Sequence, residues 1–222
     1  MDTSQVTVNT FDRLAETYAR KYLALNSYDD YYRQFCSLIA KQGGSVLDVA
    51  CGPGNVSAFL VRERPDLQVL GIDLAPNMVR LAQTHVPSAS FLVHDCRRLS
   101  DLGRVFDGIA YAFGLNYLNQ EDAEQFFESL TKVLAPNGVL YLSAMSGPRE
   151  QSGLQTSGNG DQIYVHYRPK AEIEQLVKST GLELIISNEI ASPASASMPG
   201  IDVVLVARRM SVCRDDGKSV IE

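Results

Sequence analysis

The sequence predicts an α/β domain built on a mostly parallel sheet, with one reversed strand near its end. Three observations predict it. From residue 45 onward, short apolar runs of strand length alternate with amphipathic helical segments, the pattern of a parallel sheet covered on both faces. A glycine-rich turn, Gly52-Pro53-Gly54, directly follows the first of those runs. The last two runs, Leu182–Ile190 and Ile201–Ala207, have no helix between them, and strands joined without a crossover helix pair most simply as antiparallel neighbours.

The chain opens with a helical region over residues 10–41. Phe11, Leu14, Ala15, Tyr18 and Tyr22 fall on one stripe, and Asn9 or Thr10 offers an N-cap. A second helix is expected from Tyr28 to Lys41, stopped by Gly43 and Gly44. Strands are then expected at Ser45–Ala50, Leu67–Ile72, Ala89–His94, Phe106–Ala112 and Gly138–Ala144, with helices at Asn55–Arg64, Pro76–Thr84 and Glu121–Leu134. Residues 145–168 form an insertion that is long for a loop in a compact domain. Its glycines suggest mobility, and Tyr164–Arg168 alternates like a short strand at a substrate mouth. Pro169–Thr180 reads as a helix with proline in its first turn and Gly181 as its stop. Ala191–Gly200 reads as a loop, and the aperiodic residues 209–222 as a frayed tail. Residues 1–208 are expected to form a single domain.

With 222 residues, 45% of them hydrophobic and 21% charged, the chain has enough apolar content for a real core. The net charge of −6 argues against a broad nucleic-acid surface. Cys36, Cys51, Cys96 and Cys213 lack any C-x-x-C spacing, so free thiols in a reducing compartment are expected. No basic segment followed by an apolar run opens the chain, and no apolar stretch reaches membrane length. The expectation is a cytoplasmic protein without a membrane span. No Cys/His set has metal-site spacing, so no metal is expected.

The strongest motif is the run from Val46 to Asn55, where Asp48 precedes Gly52 and Gly54. Glycines there let the backbone turn sharply and approach a ligand, at the strand end where open α/β sheets bind ligands. A dinucleotide fingerprint would want a third glycine where Ser57 stands. Asp48, just under the loop, would repel a pyrophosphate and suit a ligand with an ammonium group and a sulfonium. Asp73, ending the second strand, can accept hydrogen bonds from both hydroxyls of a ribose, or cap the helix that starts at Pro76. Leu74 and Met78 offer an apolar surface to a purine, or serve as core. After the third strand, Asp95 can accept from an adenine amino group while the Cys96 N–H donates to a ring nitrogen; alternatively Asp95 closes an Asx turn.

In combination these motifs resemble those of class I S-adenosylmethionine-dependent methyltransferases. The acid–x–x–x–Gly–x–Gly run, the acid ending strand two, the acid–small pair after strand three and the Leu134–Leu140 run before strand five recur there in this order, and the likeness spans roughly residues 10–208. The resemblance implies a Rossmann-like, seven-stranded sheet with an antiparallel last strand, helices on both faces, an N-terminal helical lid over residues 10–41, and S-adenosylmethionine as cofactor. It implies that Asp48, Ala50, Gly52 and Gly54 surround the methionine moiety, that Asp73 holds the ribose, and that Leu74, Met78, Asp95 and Cys96 form the adenine pocket. Ala112 and Phe113 would lie beside the transferred methyl. Tyr18 and Tyr22 would reach the cleft from the lid, where an electron-rich ring favours a sulfonium.

The acid-or-Asn–Pro–Pro–aromatic motif of many base-modifying members is missing at the end of the fourth strand. Tyr111, Phe113, Asn116 and Tyr117 instead suggest a partly aromatic wall. The expected acceptor is therefore a small molecule, not a nucleic acid, methylated by in-line displacement, with O-, N- and C-methylation all open. His166 is the candidate base and Tyr18 the second candidate catalytic side chain. A non-catalytic S-adenosylmethionine-binding protein and an NAD-dependent oxidoreductase are the alternatives.

Overall fold

The computed structural model describes residues 3–194 and 196–210. The expected tail falls almost wholly on residues 211–222, which with Cys213 lie outside the described residues.

Strands β1 (Ser45–Val49), β2 (Gln68–Asp73), β3 (Ser90–Val93), β4 (Phe106–Ala112) and β5 (Leu134–Ser146) pair in parallel. A separate hairpin follows, β6 (Gly153–Thr156) with β7 (Gln162–Val165). Then β8 (Leu182–Ala191) pairs antiparallel with β9 (Ile201–Arg209), which also lies antiparallel to β5. The seven-stranded order is β3-β2-β1-β4-β5-β9-β8. This is the mostly parallel sheet expected, with the last strand as the reversed one.

Period-two alternation builds the two cores. Leu140 and Leu142 of β5 face one layer, where they pack with Phe126, Phe127, Ile173 and Val177. Val139 and Tyr141 face the other, with Tyr32, Phe35, Phe59 and Leu60. The first layer is carried by α6 (Gln120–Val133) and α7 (Lys170–Lys178), the second by α3 (Asp29–Leu38) and α4 (Asn55–Glu63). Asn119 caps α6 by accepting from the Asp122 N–H at 2.8 Å. Glu121 and Asp122 in the first turn and Lys132 in the last complement the helix dipole.

Four expectations need correction. The first helix, α1 (Thr3–Arg13), begins well before Asn9 and Thr10, so neither caps it. Its continuation is fixed by tertiary contacts: the Thr10 hydroxyl donates to the Gln162 carbonyl at 2.7 Å, and the Tyr164 N–H donates to Thr7 Oγ1 at 2.9 Å. A break at Leu14 (φ −97°, ψ 12°) separates α1 from α2 (Ala15–Tyr22). Second, α3 packs on the sheet, although Asp29 and Tyr32 in its first turns line the cleft described below. It lies against the sheet so closely that a Cβ on Gly108 would sit 2.7 Å from Ile39 Cδ1 and 2.9 Å from Phe35 Cζ.

Third, β5 starts at Leu134 instead of Gly138 and takes in the Leu134–Leu140 run expected to precede it. Fourth, the strand in the insertion covers Gln162–Val165, not Tyr164–Arg168, and Ser157-Gly158-Asn159-Gly160 is the turn of a hairpin. Arg168 does not line a mouth: only 4% exposed, it donates to the carbonyls of Leu115, Leu118 and Asn119. The remaining helix, α5 (Pro76–His85), carries proline at its start as expected.

Candidate active site

The ends of β1 and β4 bring two left-handed residues together. Ala50 (φ 52°) and Phe113 (φ 59°) are non-glycine residues in a region that L-residues avoid, and such conformations concentrate at functional sites. Backbone hydrogen bonds hold both ends: Phe113 N–H to the Ser143 carbonyl at 2.8 Å, and Cys51 N–H to the Ile72 carbonyl at 2.9 Å. Gly52 (φ 53°) continues the left-handed turn, with a Tyr18 ring carbon 3.9 Å from where a Cβ would stand.

Two arms of one cleft meet there. The first lies under α1 and is lined by Asp73, Leu74, Met78, Asp95 and Cys96. The second lies under α2 and the 192–200 loop and is lined by Tyr22, Tyr28, Asn55, Met198 and Asp202. Tyr18, Ala50, Gly52, Ala112, Phe113 and Tyr117 line both. With their open mouths included, the arms enclose about 910 and 2220 Å³, ample for small-molecule ligands. The rings of Tyr117, Phe11, Tyr18 and Tyr22 form a chain across the junction, with centroid separations of 4.9, 5.8 and 4.6 Å. Burial pushes the Tyr18 phenol well above its usual range, so the ring is neutral.

Of the expected site residues, Ala50, Gly52, Asp73, Leu74, Met78, Asp95, Cys96, Ala112, Phe113 and Tyr18 all border the first arm. Tyr22 borders only the second. Asp73 is the hub: Oδ1 accepts from the Ala75 N–H and Oδ2 from the Gly52 N–H, both at 2.9 Å. It thus ties the loops after β1 and β2 together at the edge of the first arm. Burial pushes its carboxyl up, against the opposing backbone hydrogen bonds.

Three of the expected residues stand elsewhere. Asp48 is 1% exposed and lines neither arm. Its Oδ2 accepts from Ser57 N at 2.9 Å and Ser57 Oγ at 2.6 Å and so fastens the start of α4, while its Oδ1 is buried without a hydrogen-bond partner. Gly54 (φ 94°) also lines neither arm; it lets α4 approach Ala82 and Val86, 3.2–3.4 Å from where a Cβ would sit. His166 lines neither arm; its ring is tilted against Tyr164 with centroids 4.6 Å apart, and its backbone N–H donates to the Asn116 carbonyl at 2.7 Å. Burial lowers its imidazole below the usual value. It does not border the junction, so nothing in the geometry supports it as the base.

Asp95 borders the first arm, but its carboxylate is engaged by Arg97, whose Nε and Nη2 donate at 3.0 and 2.5 Å. Burial pushes the Asp95 carboxyl up and the Arg97 hydrogen bonds outweigh it, leaving it below the usual range. An adenine amino group would share oxygens that are already bound. Arg97 in turn reaches Asp122 at 3.0 Å. The sequence reading missed Ser4, Thr7 and Val8 of α1 as cleft residues, because no apolar period marks the helix before residue 10. Tyr28 and Asp202 were missed as well, since neither belongs to a motif. Among the described residues no group of three or more acidic, Cys or His side chains gathers as a metal site, and no helix is long and apolar enough to cross a membrane.

The buried position of Asp48 gives a pH signature. Burial pushes its carboxyl up to about 7, from an ordinary 3.8, against the two Ser57 hydrogen bonds. Between those values the unfolded chain has lost a proton that the folded chain keeps. Asp48 therefore lowers stability progressively as pH rises through that window. Asp48→Asn removes this contribution. Urea unfolding at about pH 4.5 and 7.5 should show the variant gaining on the wild type by on the order of 2–4 kcal/mol. A difference that stays constant with pH would contradict the burial account.

A methyltransferase-domain family profile matches residues 46–138. A demethylmenaquinone methyltransferase of Thermotoga maritima is 29% identical over 149 residues, covering 66% of this chain and 64% of that relative. The chain thus spans a little under two thirds of that relative's length. Among solved structures, the complex of DhpI with SAH superposes with a TM-score of 0.67 at 20% identity, covering 95% of this chain and 98% of that one. An S-adenosylmethionine-dependent methyltransferase of Clostridium acetobutylicum gives 0.69 at 16% identity, covering 91% and 99%.

Proposed function

We infer that this chain, which belongs to the class I S-adenosylmethionine-dependent methyltransferases, moves the methyl group of S-adenosylmethionine onto a small, apolar, ring-bearing acceptor. The observation that carries this reading is the junction itself. One arm offers a half-buried acid and an apolar surface; the other is lined by aromatic rings; both open onto Ala50 and Phe113.

The residues present fit the cofactor. Asp73 would accept hydrogen bonds from the ribose, and Leu74 and Met78 would provide an apolar surface for a purine. The Ala50–Gly52 turn brings backbone close to the methionine end. Asp48 lines neither arm, and family membership carries the choice of cofactor over NAD. When bound, S-adenosylmethionine supplies a methyl carbon already activated by the sulfonium.

The chain's own contribution is then alignment and exclusion of water. Alignment of two reactants is worth roughly 7–11 kcal/mol. The Ala50–Phe113 junction fixes where the two ligands face each other. The lid consists of α1 and α2, buttressed by the β6–β7 hairpin through Thr10–Gln162 and the Arg13–Asp161 ion pair at 2.6 Å. The Tyr18 and Tyr117 rings close the space around the transferred group. The Thermotoga maritima relative is named for a demethylated menaquinone, and the aromatic second arm suits an acceptor of that ring chemistry.

The experiment is calorimetric titration. S-adenosylhomocysteine should bind the purified chain with one-to-one stoichiometry and NAD should not. NAD binding without a response to S-adenosylhomocysteine would overturn the reading.

A further inference from the structure

The turn after β4 carries Tyr117 to the junction and holds it there. Residues Leu115–Tyr117 form one short 3-10 turn. Asn116, in its middle, is 2% exposed. Its side-chain amide donates to the carbonyls of Met145 and His166 at 2.8 and 3.1 Å and accepts from the Met145 N–H at 2.9 Å. The buried Arg168 guanidinium donates to the carbonyls of Leu115, Leu118 and Asn119 at 3.2, 2.8 and 3.0 Å. On the upstream side, a Cβ on Gly114 would collide with the Tyr111 ring, so the chain has no slack there. The turn cannot shift without stranding several buried polar groups.

Tyr117 is half-buried and lines both arms. Its ring meets Phe11 edge-on, with centroids 4.9 Å apart. Among the described residues no group hydrogen-bonds its hydroxyl, and that oxygen is not sealed in the interior. Burial, together with the neighbouring phenols of Tyr18, Tyr22 and Tyr167, pushes its ionisation well above the ordinary range, so the group is a neutral O–H. The Asp73 carboxylate of the first arm bears on the Tyr18 phenol, and no carboxylate bears on Tyr117. Of these two phenols bordering both arms, Tyr117 is therefore the one clear of the cofactor's acid.

A neutral phenol offers one O–H donor in a fixed place, and a donor fixed before the ligand arrives costs little to order. An ammonium on the acceptor would stand beside the sulfonium of the cofactor, where like charges repel. An oxygen on the acceptor's ring brings lone pairs and partial negative charge to the same spot. We propose that the Tyr117 hydroxyl recognises the acceptor, donating a hydrogen bond to an oxygen on its ring and so setting which ring edge meets the junction. The proposal rests on the methyltransferase reading of that junction. A packing role alone would need only the Tyr117 ring against Phe11.

The test uses the full chain saturated with S-adenosylhomocysteine and three calorimetric probes. In 1-tetralone the ring oxygen can only accept; tetralin has the same rings without oxygen; 1-aminotetralin, as its ammonium ion, can only donate. Tyr117→Phe keeps the ring and removes the O–H. Its affinity for tetralone should fall roughly 3- to 30-fold, the size of one hydrogen bond whose loss leaves a carbonyl unpaired. Affinities for tetralin and S-adenosylhomocysteine should change by less than about twofold, since no other contact is removed. Tyr18→Phe should leave the tetralone-to-tetralin ratio unchanged. The infrared carbonyl stretch of labelled tetralone on the wild type should lie below its position in hexane, a readout that needs no variant to fold.

Equal losses for tetralone and tetralin assign Tyr117 to packing and overturn the proposal. So does an unchanged tetralone affinity, a loss carried by Tyr18→Phe instead, or a larger loss for 1-aminotetralin than for tetralone. A wild-type stretch at its hexane position, or absence of binding by every probe, overturns it as well. Failure of S-adenosylhomocysteine to bind would sink the methyltransferase reading separately; the probes are then titrated on the cofactor-free protein, where the tetralone response still decides.

Discussion

Asp73→Ala should weaken S-adenosylhomocysteine binding by roughly 10- to 1000-fold in calorimetry. Two hydrogen bonds to a charged group are at stake, each worth about 1.5–3 kcal/mol, with water replacing part of the loss. The same carboxylate accepts from the Gly52 and Ala75 N–H groups, so the substitution also frees two donors at the cleft. A stability loss of about 1–3 kcal/mol should accompany it. Asp73→Asn separates the two roles. Its amide oxygen can keep one loop N–H, while its nitrogen cannot accept from a ribose hydroxyl, so affinity should fall with a smaller loss of stability. Unchanged affinity in a folded Asp73→Ala protein would reduce Asp73 to a tie between loops.

Tyr18→Ala should lower turnover by about 100-fold, the scale of a small misplacement at a reacting centre. Tyr18 borders both arms and packs against Phe11 and Tyr22, so its loss opens the junction to water and unseats α2. The competing account treats Tyr18 as ordinary core, for which truncation of a large ring costs roughly 3–5 kcal/mol of stability. The two accounts part on one protein sample. Urea unfolding and turnover of Tyr18→Ala should show a modest stability loss with a large activity loss, and Tyr18→Phe should keep most of the activity. A strongly destabilised Tyr18→Ala whose folded fraction turns over normally would refute the lid.

The legible part of this protein is what lies close together along the chain. The alternation of Leu140 and Leu142 against Val139 and Tyr141 is written in β5, and it fixes the layers. The candidates at strand ends, from Ala50 through Asp73 and Cys96 to Phe113, are brought to one cleft because a parallel sheet puts those ends on one edge. Side-chain direction was less legible. Nothing in the spacing says that Ser57, one turn into the next helix, claims the Asp48 carboxylate. Arg97 could have been weighed against Asp95, since it stands two residues away. His166 was misplaced because the hairpin's register, not the alternation of its own segment, decides which way its ring points. Tyr28 and Asp202 meet across 174 residues, a contact no local pattern announces. The early start of α1 is likewise a tertiary effect, set by the hairpin and α5 rather than by an apolar period in its first turns.

Transfer of a labelled methyl group tests the central claim most directly. The purified chain is given methyl-labelled S-adenosylmethionine and a panel of ring acceptors that includes a demethylated naphthohydroquinone. Labelled, solvent-extractable product should form together with an equal amount of S-adenosylhomocysteine, and both should fall in Asp73→Ala at subsaturating cofactor. Tight binding of S-adenosylhomocysteine with no labelled product from any acceptor would contradict the account and make the chain a binding protein.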